Sequence, residues 1–254
     1  MPFIHAENMT KHHQHKSAKP RAARHSLPRP AWADHLLFGL PSDFDISVVR
    51  TVGDAATLIS TLPNRYRGEG AKNLYEHRKI VGKRVTYRGL IVAWEHDHRE
   101  VISAFGSEKK LAAALRNVSP PSKRKKPVRA WRGINNIKGA FGMSWTTDRD
   151  IACWFAMRSN RPAPSVLVCD LYPQAIVAEH NGRRECELIV DPIELDRHSI
   201  FLDDGRGDPY KIYEFDDECH KQVASAEIAG WRAGFDRYKA AKNARSDRRL
   251  RRPK

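Results

Sequence analysis

The feature that most constrains this chain is a change of hydrophobic period at "PPSKRKKP", residues 120–127. Before it, apolar residues recur every three or four positions, the spacing that gathers side chains on one helical face. "VGDAATLISTLP" carries Ala55, Leu58, Ile59 and Leu62 in that pattern and stops at Pro63. "HREVISAFGSEKKLAAALRNV" reads as another helix, with Val101, Phe105, Leu111 and Leu115 as its buried face. After residue 127 the texture is β-rich: "VRAWRG", "PSVLVCDLY", "AIVAEH", "ECELIVDP", "SIFLD" and "YKIYEF", with Gly, Pro, Asn or Asp between them. A closing helix is predicted from Ala224, Ile228, Trp231, Phe235 and Tyr238, one apolar stripe in alternating steps of four and three. Helices first and strands afterwards specify an α+β chain.

The layout that follows is a basic tail over residues 1–30, expected to be disordered, and a mainly helical region over 31–120. A basic linker spans 121–127, an α+β domain 128–240, and a second basic tail 241–254. "KHHQHK" in the first tail reads as a flexible His-rich stretch. The formal net charge is +15, and Arg237 to Lys254 alone hold nine Lys or Arg against one Asp. Such blocks are either solvated ends or phosphate-seeking surfaces, and charge alone does not choose between them.

Several classes are disfavoured. No run approaches about 18 apolar residues, so no membrane partner is expected. The N-terminus lacks the apolar core of a secretory signal. The four cysteines have no CxxC spacing, which suits reduced thiols. A cytoplasmic protein of bacterial or phage origin is therefore expected. "GEGAKN" lacks a third glycine and a preceding strand, and Walker A, HExxH and GxSxG motifs are missing. "EHDH", Glu95 to His98, points around the cylinder if it lies in a helix, so no metal is expected there.

Three motifs in the β-rich half carry chemistry. "WRG" places Arg132 at a strand end before Gly133, where a guanidinium fork can meet a phosphate or carboxylate. "MSWTTDRDIACWFAMR" reads as a strand from Met143 to Thr147, a helix cap at Asp148, and a helix burying Ile151, Trp154 and Phe155. In that strand Ser144 and Thr146 share a face, Trp145 points into the core, and Ala152 and Ala156 permit close approach. "RRECELIV" puts Glu185 and Glu187 on one face, about 7 Å apart, if it is a strand. Each alone has an ordinary explanation: a surface ion pair, a satisfied hydroxyl pair, carboxylates guarding an edge.

In this order the three resemble the Arg–Ser–Glu class of mono-ADP-ribosyltransferases, over roughly Val128 to Pro192. "SWTTDRDIACWFA" is the most specific part, with Thr146 where the class often has Ser. The resemblance implies a split β-sheet whose cleft binds NAD as co-substrate, without a metal. It further implies transfer of ADP-ribose to a macromolecule with release of nicotinamide. Glu187 would be the catalytic carboxylate at the nicotinamide ribose, where an oxocarbenium-like state gathers positive charge. Glu185 would orient or deprotonate the acceptor, and Ser144 would hold Glu187. Arg132, Gly133, Ser144 and Thr146 would line the NAD site, with Arg158 and Arg161 reaching its phosphates.

Glu-x-Glu in this class accompanies protein-arginine acceptors, which places protein slightly ahead of RNA or DNA. An intracellular toxin or anti-phage effector with a neutralising partner fits such an activity. The competing reading is a basic nucleic-acid-binding protein without catalysis.

Overall fold

A computed structural model describes residues 31–41, 43–135, 139–159, 164–182, 184–195, 200–214 and 225–250. The chain is α+β, with helices first and an antiparallel sheet after. The expected tail over residues 1–30 lies outside the described residues. After 3₁₀ turns at Ala31–Phe38 and Ile46–Val48 come α1 (Val52–Thr61), α2 (Asn64–Glu76), α3 (Arg78–Val81), α4 (Lys83–His96), α5 (His98–Phe105) and α6 (Glu108–Val118). Thr51 and Asp54 close a reciprocal capping box on α1: the Asp54 amide donates to the Thr51 hydroxyl and the Thr51 amide to the Asp54 carboxylate.

The helix expected from His98 to Val118 is two. Gly106 takes a left-handed φ of 82°, which ends α5, and the Ser107 hydroxyl accepts from the Lys110 amide to start α6. "EHDH" is likewise not one helix. Asp97 sits at the joint, caps α5 through the Arg99 amide at 2.9 Å, and separates Glu95 on α4 from His98 on α5.

Beyond the irregular linker lie β1 (Val128–Ile134), β2 (Ser144–Thr146), α7 (Arg149–Met157), β3 (Ser165–Leu171), β4 (Ile176–His180), β5 (Glu187–Val190), α8 (Pro192–Leu195), β6 (Phe201–Asp203), β7 (Pro209–Glu214) and α9 (Ser225–Leu250). The strands form a seven-stranded sheet in the order β4-β5-β2-β1-β3-β6-β7, every neighbour antiparallel. β1 and β3 register over seven pairs, whereas β1 and β2 register only at Trp131↔Thr146. The sheet thus narrows to a neck between β1 and β2.

The linker does not separate two independent cores. One core joins α1–α6 to Met143, Val177, Ala178 and Ile189, so the helical region packs directly on the β4–β5 side of the sheet. Arg116 on α6 bonds Asp191 at 3.0 Å and the Gln174 carbonyl at 2.7 Å, and Arg124 of the linker grips Glu179 of β4 through two nitrogens. One cation of the "KRKK" block is therefore neutralised. The second core contains Ala130, Trp145, Leu188, Val190 and Trp231 among its buried residues.

In α7 the buried residues are Ile151, Ala152, Cys153, Ala156 and Met157, while Trp154 and Phe155 are only half-buried. The reason is the close approach of α7 to β1, which the small Ala152 and Ala156 permit. α9 continues through Leu250, so residues 241–250 are helical. Trp231 and Tyr238 of its predicted stripe are buried, Phe235 is half-buried and Ile228 exposed, with Ala224 outside the described residues.

Burial pushes the Cys153 and Cys169 thiols up to about 12. Alkylation of the native protein near pH 8 should leave both unmodified, because the thiolate is the reacting form, and should label the half-buried Cys186. Peptide mass spectrometry reads this out; labelling of Cys153 without unfolding would contradict the packing of α7.

Candidate active site

Ser144 and Thr146 share one face of β2, and Thr146 lies opposite Glu187 of β5, so three polar side chains meet on one side of the β2–β5 pair. Trp145 and its opposite Leu188 occupy the other side and are buried in the second core. The Trp145 indole donates to the Gly142 carbonyl at 3.0 Å. Asp148 accepts from the Asp150 amide at 3.0 Å and starts α7. The strand itself is only Ser144–Thr146, shorter than the expected Met143–Thr147.

Glu187 is 4% exposed. Its Oε1 accepts from the Ser144 hydroxyl at 2.5 Å and from the Trp94 indole N–H at 3.0 Å. His98 Nε2 lies 3.9 Å from the same oxygen, with the imidazole stacked on the Trp94 indole at 4.1 Å between centroids. Oε2 is buried and has no hydrogen-bond partner. A buried carboxylate oxygen without a donor is costly, and native structures keep such groups where a ligand or a function requires them.

Glu187 lines a cavity of about 740 Å³ that opens where β1 and β2 diverge. Its walls include Trp94 and His98, Glu108, Trp131 and Arg132, Ser144, and Phe155 of α7 with Arg158 just past that helix. The Trp131 indole N–H is also buried without a partner, so the residues lining the cavity offer one unpaired acceptor and one unpaired donor. That volume falls within the range of small-molecule sites.

The other predicted residues are placed as follows. Glu185 lines the cavity but is not in the strand, which begins at Glu187. It sits in a turn between Arg184 and Cys186, whose φ values are 62° and 47°. The strand pattern with both carboxylates on one face is therefore corrected. β4 and β5 stop pairing at His180↔Glu187, and the chain must reverse before that point. The Thr146 hydroxyl holds this turn by donating to the Glu185 carbonyl at 2.6 Å, while accepting from the Asp148 amide. Two left-handed non-glycine residues cost about 1–2 kcal/mol each, so the turn is a strained one kept by its bonds.

Arg132 is inside β1 rather than at its end. Its guanidinium donates to the carbonyls of Gly139 and Ser144 and so forms part of the wall. Burial pushes it down to about 10, opposed by the nearby Glu108 and Glu187. Burial in turn raises the Glu108 carboxyl, with Arg132 opposing. Gly133 is where α7 crosses β1: a Cβ there would lie 2.0 Å from the Ala152 carbonyl oxygen. Arg158 is exposed at the rim, its guanidinium over the Trp154 and Phe155 rings. Arg161 lies outside the described residues.

Sequence reasoning missed Trp94 and His98, which come from the helical region. The available signal was "LIVAW", a fully apolar run ending in a Trp whose N–H needs a partner once buried. The rest of "EHDH" is used elsewhere: Glu95 pairs with His180 of β4. Among the described residues no three or more His, Cys, Asp or Glu gather as metal ligands. No described helix is long and apolar enough to cross a membrane.

No family model, no curated protein and no solved structure matches the chain. What distinguishes the site is a buried carboxylate with one oxygen held by two donors and the other unpaired.

Proposed function

We propose that the chain is an NAD-dependent mono-ADP-ribosyltransferase acting at this cavity. The observation that carries the reading is Glu187, whose Oε1 is fixed by Ser144 and Trp94 while its buried Oε2 has no partner. The order Arg132, Ser144, Glu187 supports the same reading, as does the neck between β1 and β2, which resembles a split sheet.

In this mechanism Glu187 Oε2 accepts a hydroxyl of the nicotinamide ribose, and the carboxylate charge faces C1′ as positive charge develops there. The C1′–N bond breaks with its electron pair going to the nicotinamide nitrogen. The acceptor's nucleophile bonds C1′, and its proton passes to Glu185 and on to solvent. Ser144 and Trp94 hold the carboxylate in one rotamer, which matters because a misplacement of about 1 Å can cost a hundredfold. Arg132, tied to two carbonyls, supplies a positive wall, and Arg158 at the rim meets the pyrophosphate. The unpaired Trp131 N–H suits the carboxamide oxygen.

A basic nucleic-acid-binding protein without catalysis accounts for the charge but gives no reason to bury an unpaired carboxylate oxygen. The test is incubation with NAD at millimolar concentration. Release of nicotinamide and a rise in melting temperature are expected, since a ligand bound only by the folded state stabilises it. The absence of both effects would sink the reading.

Trp94→Phe separates the indole N–H from its ring. The ring can still stack on His98, but one hydrogen bond to a charged oxygen is lost, about 1.5–3 kcal/mol if felt in the transition state. Steady-state assays should show kcat falling roughly ten- to a hundredfold with KM little changed. An unaltered kcat would remove Trp94 from the positioning of Glu187.

A further inference from the structure

We propose that α7 and α9 form a track for single-stranded nucleic acid that leads into the cavity, making nucleic acid the acceptor. The transfer step rests on the transferase reading above, whereas the binding does not.

The track begins at the rim. Phe155 and Arg158 line the cavity, and the Arg158 guanidinium lies 4.9 Å from the Trp154 ring centroid and 4.5 Å from that of Phe155. Lys242, which comes from α9, lies 4.5 Å from the same Trp154 centroid. A rim cation and an α9 cation therefore meet on one half-buried indole, and the cavity edge is continuous with the last helix. From there exposed Lys239, Lys242 and Arg245 follow one another along α9 at three-residue intervals. That spacing keeps them on one side of the helix at about 4.5 Å of axis per cation. From Arg232 to Leu250 there are seven Lys or Arg against Asp236 and Asp247. Arg237, in the same stretch, bonds Asp150 of α7 at 2.6 Å and ties the two helices together.

A regular cation row with an aromatic ring at its entry matches a polyanion of regular charge whose bases carry flat faces. A base can take the place of the Lys242 ammonium on Trp154, moving that charge to a neighbouring phosphate. An acidic protein surface uses the charges but not the ring. A single strand is favoured because the reacting atom must enter a concave site, which a base inside a duplex cannot do without being flipped.

The test uses the full chain and fluorescein-labelled oligouridine and oligothymidine of roughly 20 nucleotides, long enough to span such a site. Anisotropy titrations without NAD should show affinity falling as salt rises. The triple variant Lys239→Gln, Lys242→Gln, Arg245→Gln should bind at least about tenfold more weakly at 0.1 M salt. Its log–log salt slope should be shallower by about two, at ~0.7 per phosphate contact. Its NAD-induced thermal shift and acceptor-free nicotinamide release should match wild type, because these residues are outside the cavity. With labelled NAD, label should appear on the oligonucleotide and fall in the triple variant, the two oligonucleotides reporting RNA against DNA.

Equal affinity and slope in the triple variant would overturn the track, as would label found on protein alone and undiminished by the substitutions. If the triple variant does not fold, Arg245→Gln alone should flatten the slope by ~0.7, and an unchanged slope is equally fatal. Oligonucleotide binding that behaves as described, in a wild type that releases no nicotinamide, would leave the track standing and remove the transferase reading.

Discussion

Glu187→Gln is expected to lower nicotinamide release by about a thousandfold, within the range for removing a group that stabilises transition-state charge or accepts a proton. The substitution is nearly isosteric. The amide oxygen can still accept from the Ser144 hydroxyl and the Trp94 indole, so the side chain keeps its place. What is lost is the negative charge facing C1′ and the acceptor at the unpaired position, which becomes an NH₂. Melting temperature should stay near that of wild type or rise, because a buried charge without full pairing is replaced by a neutral group. The combination is what separates a catalytic role from a structural one. Full activity in a stable Glu187→Gln protein would end the catalytic assignment, and a collapse in stability would mean that the carboxylate is a structural pillar.

Gly133→Ala should be among the most damaging single-methyl additions. Its Cβ would stand 2.0 Å from the Ala152 carbonyl oxygen and 2.6 Å from the Ala156 amide nitrogen, both backbone atoms of α7 that no rotamer change can move. Relief requires α7 to lift from β1, which disturbs the second core and the Asp148 junction feeding Ser144 into the site. Overpacking of this kind costs about 3 kcal/mol, and for a chain of this size the melting temperature should fall by about 6–12 °C. Gly53→Ala is the matched control. In α1 the new methyl meets only the Thr51 hydroxyl at 3.4 Å, an ordinary contact, and the better helix propensity of Ala should leave stability unchanged or slightly higher. Thermal melts of both proteins decide the matter. A Gly133→Ala protein that melts with wild type would mean that α7 does not sit this close to β1.

Much of the local architecture was legible in the residues. The switch of period at 120–127 placed the helices and strands, Asp148 announced the start of α7, and the alternation in Ser144–Trp145–Thr146 separated cavity from core. The Ser144–Glu187 bond was implied by the resemblance to the Arg–Ser–Glu class, and the structure has it at 2.5 Å. What was not legible depends on features that leave no periodic mark. Left-handed φ at Arg184 and Cys186 is set by the bonds of the Glu185 turn, and neither residue type advertises it. The carbonyls that capture Arg132 belong to Gly139 and Ser144, and no side-chain pattern reveals an unpaired backbone oxygen. Trp94 reaches Glu187 across 93 positions of sequence, a contact fixed by how the helical region docks on β5.

That docking has a consequence for synthesis. A ribosome makes the chain from its N-terminus, and domains fold as they emerge. The helices can form first, holding Trp94 and His98 with nothing to hold on to. Glu187 appears 93 residues after Trp94, and its carboxylate acquires its full geometry only when the sheet closes against helices already made. A truncated or half-folded product has the pieces of the cavity but not the fixed oxygen. On the transferase reading, the site would thus be silent throughout the chain's own manufacture and become active only at the last docking step.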